Sequence, residues 1–102
     1  MLTQAEIEQL IPHRPPMLLI DEVLSQTADS LVARKTFRPD EFFFQGHYPN
    51  HPLVPGVILC EACMQAGAVL LAKFAAEAKG VPVATRLNDV NFTRMVRPLD
   101  EV

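Results

Sequence analysis

The sequence has little that would tie it to nucleic acid, to a membrane or to an oxidising compartment. Of its 102 residues only 9 are Lys or Arg, against 12 Asp or Glu, for a net charge of −3. No basic stretch could neutralise a row of phosphates, which argues against nucleic-acid binding. The first residues, Met1-Leu2-Thr3-Gln4-Ala5-Glu6-Ile7-Glu8, lack the basic and apolar regions of a secretory signal, so the expected compartment is the cytoplasm. There Cys60 and Cys63 are expected to remain thiols. No uninterrupted apolar run approaches the roughly 18 residues of a spanning helix. Glu61, Lys73 and Glu77 interrupt or flank the oiliest segment, Ala62 to Ala78. That segment is expected to be a buried helix of a soluble protein, not a membrane span. Repeats, linkers and low-complexity segments are missing too, so residues 1–102 are expected to form a single domain. A hydrophobic share of 49% is enough for a modest core.

What is present falls into recognisable elements. Thr3 with Glu6 three positions on forms a capping box, predicting a short helix over Gln4 to Leu10. Pro12, Pro15 and Pro16 then forbid regular structure around His13-Arg14. Met17 to Gln26 reads as a strand, Thr27 to Ser30 as a turn and Leu31 to Phe37 as the returning strand. Phe42-Phe43-Phe44 is most simply core, with an acyl-chain channel as the alternative. A long helix is predicted from about Pro55 to Lys79, closed by Gly80 at C′ with Pro82 beyond. At 1.5 Å per residue its roughly 24 residues span about 36 Å. It is apolar on nearly every face and must be covered by a sheet or a partner. Val83 to Phe92 reads as a third strand and Met95 to Val102 as the start of a fourth. These strands are too few to wrap such a helix. Either further C-terminal strands lie outside this sequence, or another chain supplies the cover.

The chemistry concentrates in Gly46-His47-Tyr48-Pro49-Asn50-His51-Pro52, which leads through Leu53-Val54-Pro55-Gly56 into the long helix. A histidine is usually a surface or satisfied core residue. Here Gly46 lets the backbone turn, and Pro49 and Pro52 stiffen the loop, which favours the fixed placement a general base needs. Glu61 lies among Val57, Ile58, Leu59, Cys60, Ala62, Cys63 and Met64. A carboxyl desolvated by such neighbours holds its proton and can donate it near neutral pH. The plainer alternative is a solvated edge shared with Gln65 at i+4. Gly56 and Val57 open the helix, where unpaired amides could bind a substrate carbonyl or enolate oxygen. His51 could be a second acid–base group or could pin the loop. Cys60-Glu61-Ala62-Cys63 downstream of two histidines admits a zinc or redox reading, but Cys60 sits too far inside the helix for dipole activation, and cysteine on an apolar helix more often acts as a small hydrophobe. Arg86, Arg94, Arg97 and Lys79 form an ordinary solvated face or dock an acidic partner.

From Phe43 through Gln45-Gly46-His47-Tyr48-Pro49 to Pro55-Gly56-Val57-Ile58-Leu59-Cys60-Glu61-Ala62, the sequence resembles the signature of FabZ-type 3-hydroxyacyl-acyl-carrier-protein dehydratases. Ile11-Pro12-His13-Arg14-Pro15-Pro16-Met17 to Asp21 is similar to that family's entry segment, and Leu87-Asn88-Asp89-Val90-Asn91-Phe92-Thr93-Arg94 to its strand after the central helix. The resemblance runs from about Ile11 to Val102. It implies an α+β hotdog fold, an antiparallel sheet wrapped around one long helix, assembled as a homodimer or a trimer of dimers. It also implies that the last strands of the fold lie beyond Val102.

By position, His47 matches the catalytic histidine and Glu61 the catalytic carboxylate, which the opposite subunit lends to each site. Gly56, with Val57 beside it, corresponds to the substrate-binding helix start, and Gly56 N–H polarises the thioester carbonyl. Gln65 matches the family's glutamine, grouped with the substrate-binding positions and orienting the carboxylate. His51 and Pro55 are left as structural support. The substrate implied is a 3-hydroxyacyl chain on acyl carrier protein, with no metal or organic cofactor. Asn50 and Leu99 each stand where the family usually has glycine, and asparagine tolerates the left-handed conformation. The FabA-type subgroup has aspartate in place of the glutamate, so Glu61 favours the FabZ type. The alternatives are another hotdog acyl-thioester enzyme, a hydratase or thioesterase, and a non-catalytic hotdog protein that binds acyl carriers.

Overall fold

A computed structural model describes residues 1–102. Helix α1 (Gln4–Leu10) forms where the capping box predicts it. Glu6 N donates to Thr3 Oγ1 at 3.3 Å, and Thr3 N donates back to Glu6 Oε1 at 3.1 Å. These bonds hold the Glu6 carboxyl below its ordinary value of 4.5. Strands β1 (Glu22–Gln26) and β2 (Leu31–Arg34) pair antiparallel, Glu22 facing Arg34 and Gln26 facing Leu31. A bulge between Val23 and Ser25 breaks the register. Thr27 closes the turn: its N–H donates to Ser30 O at 2.8 Å and its hydroxyl accepts from Ser30 N at 3.1 Å.

The strand expected from Met17 starts later, at Glu22. Leu18, Leu19 and Ile20 are nevertheless buried, on alternating sides of an extended segment. Leu18 and Ile20 join Ile7, Ile11, Val23 and Val69 in one core cluster. Leu19 joins Phe37, Phe43, Phe44 and Val54 in a second. What replaces a neighbouring strand is one side chain: Gln65 Oε1 accepts from Leu19 N at 2.7 Å, and Gln65 Nε2 donates to Met17 O at 2.7 Å. The amide of a helical residue thus satisfies backbone groups that a ladder would otherwise pair. Phe42–Phe44 is one 3-10 turn with Phe43 and Phe44 buried.

Beneath that turn lies a buried ion pair. Lys35 Nζ sits 2.9 Å from Glu41 Oε2 and 3.0 Å from Oε1, and Glu41 Oε2 also accepts from Arg38 N at 3.0 Å. Satisfying the carboxylate on several sides is what makes burying it tolerable.

Helix α2 (Gly56–Ala78) runs 23 residues. Its end departs from expectation: Lys79, not Gly80, takes the left-handed conformation, at φ 56°. The expectation of a covered helix is also not met within one chain. Only Gln65 and Val69 are buried in α2. By length and composition alone α2 is apolar enough to cross a membrane, and 11% of its most apolar window is buried. The two-stranded hairpin leaves most of its circumference open.

The third and fourth strands are absent. Residues 79–102 run without helix or strand; an isolated bridge, Thr36 to Glu101, lies just past β2, and Val96 O accepts from Val54 N at 2.8 Å. Strand propensity reports fit to a pleated, half-covered surface, and no neighbouring strand supplies one for Val83 to Phe92. The bridge is regular, with Lys35 and Val102 exchanging bonds of 2.9 and 2.8 Å.

Candidate active site

The loop before α2 is held by its own backbone. His51 N donates to Tyr48 O at 2.8 Å, so the amide of His51 closes the turn while its imidazole makes no hydrogen bond. Tyr48 occupies the left-handed region at φ 53°, where glycine or asparagine would be expected; Asn50 does not. Asn50 lies inside the Tyr48–His51 turn, and the positive φ falls at Tyr48. Gly46 is not required by space, since a Cβ there would meet nothing within 4 Å.

His47 is fixed by the same loop. Its Nδ1 lies 3.1 Å from Leu53 O. A carbonyl oxygen only accepts, so Nδ1 carries the proton and the neutral ring presents its lone pair at Nε2. Tyr48 packs edge-on against the imidazole, ring centroids 4.7 Å apart. His47 and Gly56 line one cavity of about 400 Å³, shared with Leu53, Leu59 and Phe92.

Pro55 caps α2 with its carbonyl, which accepts from Ile58 N at 2.9 Å, and no side chain caps the helix. The amides of Gly56 and Val57 have no backbone or side-chain partner. They are free donors at the positive end of a long helix. Gly56 is also a true close approach: a Cβ there would stand 2.8 Å from the Phe92 ring. Any larger residue would push Phe92 out of the cavity wall.

Glu61 sits elsewhere. It lies two positions past Leu59, about 200° around a helix of 3.6 residues per turn. It lines a different cavity, with His13, Met64, Leu71 and Pro82. Its side chain is 28% exposed, more open than its apolar sequence neighbours suggest. Gln65 Nε2 donates to Glu61 Oε2 at 2.9 Å, and Gln65 itself is only 1% exposed. The amide of Gln65 is fully engaged by Leu19, Met17 and Glu61, so it meets no open space.

Within one chain, then, His47 and Gly56 line one cavity, while Glu61, bonded to the buried Gln65, lines another. Cys60 and Cys63 are free thiols, and no group of three or more His, Cys, Asp or Glu side chains is close enough to hold a metal ion. Sequence reasoning missed His13, whose Nε2 is 3.5 Å from Glu61 Oε2, and missed Phe92 as a cavity wall. Both are far in sequence from the residues they meet, so no spacing could have revealed them.

Comparison with known proteins places this architecture in a class. A family model described as the FabA-like domain matches residues 11–102, which makes the chain a member of that hotdog family. The FabZ 3-hydroxyacyl-acyl-carrier-protein dehydratase of Oenococcus oeni is 43% identical over 97% of this chain and 72% of its own length. Those of Clostridium perfringens strain SM101 and Syntrophobacter fumaroxidans are 42% and 38% identical, over 98% and 96% of this chain and 72% and 67% of their own lengths. Within the hotdog class, the chain belongs to the FabZ-type dehydratase family.

Proposed function

We propose that this protein dehydrates a 3-hydroxyacyl chain carried on acyl carrier protein to the trans-2-enoyl thioester, a step of fatty acid synthesis, with His47 as base and Glu61 as acid. The observation that carries this reading is His47 held through Nδ1, its Nε2 lone pair free, in one cavity with the unpartnered amide of Gly56.

The thioester carbonyl accepts from Gly56 N–H, and polarisation there acidifies the adjacent Cα–H. His47 Nε2 takes that proton as the Cα–H bond breaks. The electron pair forms the Cα=Cβ bond, and the Cβ–O bond breaks. The departing hydroxyl takes a proton from Glu61 and leaves as water. Each acid–base partner contributes about 10²–10⁴ in rate. Gln65 orients the carboxylate and does not touch substrate, and His51 and Pro55 support the loop and the helix start. No metal or organic cofactor enters this scheme.

The site is shared between two copies of the chain. His47 and Glu61 line different cavities of one chain, and α2 leaves apolar side chains such as Leu71 and Phe74 uncovered. A second copy brings its Glu61 to this His47 and covers that face. The open face belongs to a homodimer in the cytoplasm rather than to lipid, since Glu61 lies on it. Trimers of dimers are compatible with the same pairing.

The direct test measures interconversion of 3-hydroxyacyl and enoyl thioesters; its absence in purified protein ends the dehydratase reading. Co-expression of His47→Ala with Glu61→Gln tests sharing. Each variant alone is expected to be inactive. Random heterodimers hold one intact site, restoring about one quarter of wild-type activity. No recovery, with mixed dimers verified by mass, would show that both groups come from one chain.

A further inference from the structure

Glu61 is gripped from two sides. Gln65 reaches it from one turn further along α2, and His13 reaches it from the proline-bounded loop that follows α1. Both meet the same oxygen, Oε2, at 2.9 and 3.5 Å, while Oε1 has no partner. The loop carrying His13 is itself well anchored. Arg14 Nη1 donates to Ile11 O at 2.9 Å and to His13 O at 2.7 Å, and Met17 O is bound by Gln65. Gln65 therefore ties the His13 loop and Glu61 to one rigid point.

The imidazole has a second informative atom. Nδ1 of His13 is buried and has no hydrogen-bond partner. Placing a proton there would create an unsatisfied buried N–H, which costs more than leaving an under-used acceptor. The favoured neutral form therefore carries its proton on Nε2, the nitrogen that faces Glu61.

From this arrangement we infer that His13 is a positioning residue for Glu61. It offers Nε2–H to Oε2 and leaves Oε1 as the oxygen that handles the substrate proton. A contact of 3.5 Å is long for a hydrogen bond, and such contacts tighten once substrate is bound and the carboxylate becomes charged. The inference rests on Glu61 being the acid of the proposed reaction.

The test compares His13→Phe, which keeps a ring without the donor, with His13→Gln, which returns an N–H near the Nε2 position. His13→Phe is expected to lower kcat at least about tenfold, with KM within about twofold and an unchanged melting temperature. His13→Gln is expected to recover most of that loss. A purely packing role predicts the reverse order, and wild-type kcat in His13→Phe overturns the inference. Glu61→Gln is assayed beside them: if it turns over normally, both the acid role of Glu61 and this inference fall. An inactive Glu61→Gln with a fully active His13→Phe sinks only the latter. Should either His13 variant fold poorly, long-range proton–nitrogen NMR of the wild-type protein decides. The Nε2–H tautomer at His13 is expected, and the Nδ1–H tautomer overturns the inference.

Discussion

The second half of this chain is richer in apolar side chains than the first, yet it buries fewer of them. From Leu2 to Val54 the hydrophobic residues close on themselves in two clusters, reached by α2 through Val69, Ile58 and Leu59. After Val69 no residue is buried, although Leu71, Phe74, Val83, Leu87 and Phe92 follow. The difference is one of partners, not of composition. The first half has a hairpin, a capped helix and a buried ion pair to fold against. The second is tied to it by a few backbone bonds, at Val54–Val96 and between residues 35–37 and 99–102, with Val96 packed at the edge of one cluster. Stability resides in the first half, and the second offers surface.

That contrast can be tested by perturbing each side. The largest effect on folding is expected in the packed half. Glu41→Ala leaves the buried Lys35 ammonium with only Asp21, 3.7 Å away, and should cost about 3 kcal/mol in denaturant unfolding. A loss below about 1 kcal/mol would mean water reaches that pair freely.

On the open half, Phe74→Asp should leave monomer stability within about 0.5 kcal/mol of wild type, because Phe74 packs on little in its own chain. Its effect should appear in sedimentation as loss of the proposed dimer. An intact dimer would place the interface elsewhere on the helix.

A smaller, stabilising change is expected at Leu99. This residue sits at φ 75° in the turn that connects Arg97 to Asp100, and its side chain is exposed. A left-handed conformation costs a non-glycine residue about 1–2 kcal/mol, so Leu99→Gly should recover about 1 kcal/mol in thermal unfolding. An unchanged or lower melting temperature would show that the turn carries no such strain.

An effect of similar size concerns the first helix. Thr3→Ala should cost about 1 kcal/mol by loss of the N-cap. Thr3 lowers the pKa of Glu6 in the folded state, so the capping box stabilises fully above the ordinary carboxyl value of 4.5. That contribution is lost as pH falls through the lowered folded value. Glu6→Gln should flatten this acid limb in melts across a pH series; an identical limb would assign it to other carboxyls.

Much of this was legible beforehand, for local reasons. Thr3 and Glu6 declare a helix start by spacing alone, and Thr27 to Ser30 declare a turn. The long helix follows from an unbroken run of apolar and small residues after Pro55. The histidine loop and Glu61 stood out because proline, glycine and a carboxylate are costly in such places. What the sequence did not reveal depends on distant partners. Gln65 replaces a strand for Met17 and Leu19, a pairing that crosses nearly half the chain. Tyr48 holds a conformation that glycine would have announced, whereas Leu99 was already marked as standing where glycine is usual. Residues 83–92 carry strand-like side chains, yet a strand exists only where another backbone pairs with it.

The bridges at the rims of the hairpin have one more consequence. Leu2 exchanges backbone bonds with Val23 on one rim, and Val102 exchanges them with Lys35 on the other. Open strand rims are templates on which foreign chains polymerise. Here each rim is stoppered by a segment that is distant from it in sequence. A small sheet with so much greasy surface beside it is thereby guarded against growing into fibrils.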